Sequence, residues 1–199
     1  MQATRELPGG YVLRSGVSIK NRATIVWLNV AGLVLLVFFW WLFATVALWL
    51  RPTEAAQIYN LTWRGWDSLA AIGVTVGLIV VVIVLHEVIH GLGFLWIARV
   101  RPVFAFKGAY AYAGAPGCFI PRDPYLVIGL APLVVLSLLA VGMLAVVPPQ
   151  AIFPVLLAAV INASGAVGDI WVAILLLRQP PDALAIDDGD EIRIYAPAR

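Results

Sequence analysis

The sequence predicts an all-α polytopic membrane protein of four transmembrane helices, with a short β-hairpin or re-entrant loop between helices 2 and 3. Composition, span length and charge placement all point there. The 199 residues are 62% hydrophobic and only 12% charged, whereas water-soluble domains run at about 45 to 50% apolar and about 25% charged. Four stretches exceed the roughly 20 residues that cross a bilayer core. Lys and Arg are distributed very unequally between the two sides of those stretches.

In chain order, the first 24 residues are polar and basic and lack the early apolar run and cleavage site of a signal peptide, so the N-terminus is expected to be kept. Residues 25–50 form the first span and carry no charge. The second, 68–98, contains one acid, Glu87. The third, 125–147, is uncharged, and the fourth, 151–177, contains only Asp169. Pro148 and Pro149 separate the last two with almost no loop, which predicts an antiparallel helix pair. The expected organisation is one membrane domain over 1–178 and a short polar cytoplasmic tail over 179–199.

Orientation follows from the basic residues on alternate sides. Arg5, Arg14, Lys20, Arg22, Arg99, Arg101, Lys107, Arg122, Arg178, Arg193 and Arg199 fall on one side, 11 in all, against Arg51 and Arg64 on the other, 2 in all. Both termini are expected in the cytoplasm.

Between the second and third spans, residues 103–120 read VFAFKGAYAYAGAPGCFI, with Phe104, Phe106, Tyr110 and Tyr112 at alternating positions. Period two argues for strand, and Gly108, Gly114, Pro116 and Gly117 supply turns. An aromatic belt at headgroup level is the alternative. In the tail, Glu191 to Tyr195 alternates like a short strand, and the acids Asp187, Asp188, Asp190 and Glu191 are expected to form a solvated face. One cysteine, Cys118, excludes an intramolecular disulfide and any multi-cysteine metal site. The net charge of +2 is too small to argue for nucleic acid.

Ionisable groups inside a span cost at least about 2.5 to 3.5 kcal/mol at a helix centre, so each needs a reason. Here they are His86, Glu87, His90 and Asp169. His86 and His90 stand four apart, on one helix face, where one metal ion can take both imidazoles. Glu87 follows His86, completing the H-E-x-x-H pattern in which the glutamate takes a proton from the attacking water. A catalytic zinc also wants a third protein ligand. At 1.5 Å per residue, His90 and His86 lie about 13 and about 20 Å from Arg99, and Asp169 about 13 Å from Arg178, so the carboxylate can meet the histidines at one depth. A salt bridge to Arg178 or a helix contact is the alternative for Asp169. Asn162 shares its helical face with Asp169 and is a candidate to hydrogen-bond Glu87 or a substrate backbone. Gly165, Ala166 and Gly168 are small enough to let helices approach closely.

HEVIH in one span, a glycine- and aromatic-rich loop, PRDPYLVIGLAPL leading into the next span and NASGAVGDI in the last together resemble the site-2 protease class of intramembrane zinc metalloproteases. The likeness runs over roughly residues 68–178 and is greatest to a compact branch of zincin peptidases with about four spans and a Gly-Asp pair in the last. It implies His86, His90 and Asp169 as ligands of one Zn2+, Glu87 as general base, and a strand at 103–120 that pairs with substrate. That class carries Asn-Pro and Leu-Asp-Gly motifs, where this chain has Asn162 without a following proline and Gly168-Asp169-Ile170. The function expected is hydrolysis of peptide bonds in membrane-embedded protein or peptide substrates, with the lipid bilayer as surroundings and the active site toward the cytoplasm. The rivals are a non-catalytic metal-binding membrane protein and a small proton or metal transporter.

Overall fold

A computed structural model describes residues 3–18, 21–56, 66–106 and 111–198. The protein is mostly helical, with two small sheets among the described residues. Four helical stretches among the described residues are long and apolar enough to cross a membrane: Arg22–Leu50, Leu69–Ala98, Arg122–Val146 and Pro149–Leu177.

Helix α1 runs Arg22–Leu50 and starts where the Asn21 side chain accepts from the Ala23 N–H at 2.9 Å, an N-cap contact. Lone polar residues in the spans spend their donors on their own helix. Asn29 Nδ2 donates to the Ile25 carbonyl at 2.8 Å and Thr75 Oγ1 to that of Ala71 at 2.7 Å, so each spends a donor on the carbonyl one turn back in its own helix. A short helix α2, Pro52–Ala55, follows with proline in its first turn. Helix α3, Trp66–Gly93, continues as a π turn over Phe94–Ala98. Arg99 closes that turn in the left-handed conformation, φ 57°, while the Arg99 and Val100 N–H groups both donate to the Phe94 carbonyl. Helix α4 is Arg122–Val146. The fourth span consists of two helices, α5 (Pro149–Gly165) and α6 (Val167–Leu177), separated at Ala166.

The chain forms two compact units. One comprises residues 1–30, 87–132 and 168–199. Its core holds Phe94, Ile120, Tyr125, Ile128, Leu176 and Ile194. It contains an antiparallel sheet of β1 (Tyr11–Ser18), β4 (Phe119–Pro121), β5 (Leu184–Asp187) and β6 (Glu191–Pro197) in the order β1-β6-β5-β4, and a hairpin of β2 (Val103–Phe106) and β3 (Ala111–Gly114). The hairpin lies where period two placed strand, and β6 covers the alternation seen at Glu191–Tyr195. The four-stranded sheet is additional to the expected helical plan. It overturns one reading of the tail: all four residues of β5 are buried, so Asp187 belongs to the interior rather than to a solvated face. The other unit comprises residues 31–86 and 133–167, around Phe43, Leu144, Ile152, Leu156 and Val160. There Arg51 pairs with Glu54 at 3.2 Å and donates to the Val147 carbonyl just beyond α4, a cation at a helix C-terminus.

Candidate metal centre

His86 and His90 lie one turn apart on the continuous helix α3, His90 buried and His86 half-buried. Each ring is held through Nδ1. His90 Nδ1 lies 3.1 Å from the Ile128 carbonyl. A carbonyl only accepts, so Nδ1 carries a proton, and Nε2 is the nitrogen left to face a metal. His86 Nδ1 lies 2.9 Å from Asn162 Oδ1, which assigns it the same tautomer. Asn162, expected to hydrogen-bond Glu87 or a substrate backbone, uses its amide oxygen to hold a histidine. Holding one ring nitrogen in this way directs the other toward a metal.

Asp169 stands in the first turn of α6, where a carboxylate is favoured by the helix dipole. Its Oδ1 lies 3.4 Å from His90 Nε2. One ligand atom from each of His86, His90 and Asp169 lies within 4.8 Å of the others, a group able to hold a metal ion. Two imidazoles and a carboxylate make a donor set that zinc takes, and ligands about 2.0 to 2.2 Å from a tetrahedral centre stand about 3.4 Å apart. The donors present fit zinc, with the fourth position left to water or substrate. Glu87 is half-buried beside His86 and is not a member of the ligand group.

A family model described as "Putative zincin peptidase" matches residues 79–184, just over half of the chain. The chain belongs to this family. No curated protein and no solved structure matches it. The match takes in His86, Glu87, His90, the hairpin, the whole of α4, Asp169 and the first residue of β5. Zinc is the metal that membership of this family implies.

Of the aromatics expected in the loop, Phe104 and Phe106 are exposed on β2, and Tyr112 is half-buried on β3. Tyr110 lies outside the described residues. The Phe104 ring packs on helix α3 at Gly91, where a Cβ would come 2.2 Å from the ring carbon Cζ. Gly93, two residues on, similarly admits Ile128, whose two γ carbons would be 3.1 Å from a Cβ there. Gly91 and Gly93 thus both permit close approach to α3. Among the described residues, a Cβ at Gly165 or Gly168 would meet nothing within 4 Å, whereas Ala166 between them is fully buried.

A second polar contact in this unit carries no signal in the sequence. Tyr125, buried near the start of α4, donates its hydroxyl to Asp187 Oδ2 at 2.7 Å, and the Gly189 N–H donates to Oδ1 at 2.9 Å. Burial pushes the Asp187 carboxyl above the ordinary carboxylate range, against the lowering effect of both hydrogen bonds. Hairpin residues pack on the same turn, with Gly114 close to Asp187 and the Tyr112 ring against Gly189. DDGD in an otherwise polar tail reads as solvent-facing; only its pairing into the sheet buries the first aspartate.

Proposed function

We propose that this zincin peptidase is an intramembrane zinc metalloprotease of the site-2 protease kind, hydrolysing peptide bonds of membrane-embedded proteins from the cytoplasmic side. The His86, His90 and Asp169 donor set, carried by helices long enough to cross a membrane, is the observation that supports it. Bound zinc would supply Lewis-acid polarisation of the scissile carbonyl and a lowered pKa for the attacking water. The chain's own residues do the rest. His86 and His90, fixed through Nδ1 by Asn162 and Ile128, hold the donor geometry, and Asp169 adds the negative charge. Glu87, adjoining a ligand without being one, takes the proton from the nucleophile and delivers it to the leaving amine.

A substrate helix hides its amides in its own hydrogen bonds and has to unwind before cleavage. Strand β2 offers a means of holding it extended. One edge of β2 pairs with β3, and backbone groups of the other edge can add a substrate strand. Phe104, seated on Gly91, places that strand against the helix that carries the ligands. The bias of 11 basic residues to 2 supports cytoplasmic termini.

Glu87→Gln tests the proposal. The variant should keep its fold and zinc while cleavage of an epitope-tagged membrane substrate falls by about 10² to 10⁴. Undiminished cleavage would remove Glu87 from the role of base. A wild-type protein that binds zinc but leaves every membrane substrate intact would favour the non-catalytic metal-binding alternative.

A further inference from the structure

Helix α4 continues through Pro132, which is fully buried. In an α-helix the N–H of residue 132 would bond the carbonyl of residue 128, and proline has no N–H to give. The Ile128 carbonyl therefore lacks its helical donor. A carbonyl left open in a bilayer interior costs several kcal/mol. Here the acceptor position lies 3.1 Å from His90 Nδ1. Gly93 lets Ile128 come this close to α3.

We propose that Pro132 is a positioning residue for the metal centre: by withholding an N–H it reserves the Ile128 carbonyl for His90, fixing that ring with Nε2 toward the ligand group. The inference rests on the reading of His90 as a zinc ligand. Its chemistry explains why a helix-disfavouring residue stands inside a span at this point. It also separates two properties that a merely structural proline would move together.

Pro132→Ala restores the missing N–H, which then competes with His90 for the Ile128 carbonyl. The helix gains a bond and a residue of better propensity, so the melting temperature of the full-length protein in detergent should be unchanged or higher. Zinc affinity, measured by chelator competition, should fall about 10- to 100-fold, as commonly follows loss of a group that orients a ligand. The visible spectrum of the cobalt-substituted protein should shift as well. Pro154→Ala, at a proline inside α5, serves as the control and should leave zinc affinity unchanged. Wild-type affinity in Pro132→Ala overturns the inference and leaves the metal reading standing, whereas a wild-type protein that takes up no zinc overturns both. If Pro132→Ala does not fold, nitrogen NMR of the wild-type zinc form decides: a proton on His90 Nδ1 is expected, and a metal on Nδ1 with the proton on Nε2 refutes the proposal.

Discussion

His90 Nε2 and Asp169 Oδ1 stand 3.4 Å apart, although they come from helices α3 and α6 and from opposite ends of the family match. That distance is about one edge of a tetrahedral zinc site. One zinc per chain should therefore co-purify, and His86→Ala, His90→Ala or Asp169→Ala should each sharply lower its occupancy. Asp123→Ala is the comparison, since Asp123 is exposed and paired with Arg122 at 2.8 Å. Elemental analysis decides between them. Full zinc in Asp169→Ala with loss in Asp123→Ala would refute the assignment of the third ligand.

The features legible in the sequence were those encoded over short distances. His86, Glu87 and His90 lie within one helical turn, so their common setting follows from helix periodicity. Asp169 was conspicuous as the lone acid in an apolar span, and alternation over Phe104 to Tyr112 announced the hairpin. What escaped depends on partners far away in the chain. Tyr11 pairs with Pro197 across β1 and β6, and neither segment signals the other. Asp187 looks solvated among its acidic neighbours until β5 takes its place between β4 and β6. Pro132 looks like any proline in a span, because its consequence, an available carbonyl, needs His90 opposite to be recognised.

The buried Asp187 predicts a pH dependence of stability. Its folded-state pKa is raised, so the folded protein holds this proton more tightly than the unfolded chain does. The stabilisation is fully present below the unfolded value of about 3.9 and is lost as pH rises through the folded value. Asp187→Asn carries no titrating group there. With zinc removed by chelation, the melting temperature of Asp187→Asn minus that of wild type should grow more positive as pH rises from about 4 toward neutrality. A difference that shrinks over that range would mean the carboxylate is favoured by folding.

The distribution of Lys and Arg predicts the topology. Reporter fusions should place residue 58 outside and residues 5, 102 and 190 in the cytoplasm. An external signal at residue 102 would reverse the orientation, and with it the proposal that the site serves the cytoplasmic side.

The contact between Gly91 and Phe104 predicts a paired outcome. A methyl group on residue 91 would come 2.2 Å from Phe104 Cζ, well inside van der Waals contact, so in Gly91→Ala the ring has to swing away and β2 loses its seat on α3. The far end of a phenylalanine moves more cheaply than backbone, and overpacking of this kind costs about 1 to 3 kcal/mol. His86, His90 and Asp169 are untouched, so zinc occupancy should be close to that of wild type. Cleavage should fall, because the strand proposed to hold the substrate is no longer anchored to α3 by the Phe104 ring. Adding Phe104→Ala removes the clash. If the steric account is right, the double variant should regain the melting temperature lost by Gly91→Ala, less what the missing ring contributed to packing. Phe104→Ala alone should keep zinc and lose cleavage, separating the ring's role in seating β2 from the glycine's role in admitting it. Equal melting temperatures for Gly91→Ala and wild type, with cleavage intact, would show that β2 does not depend on this contact.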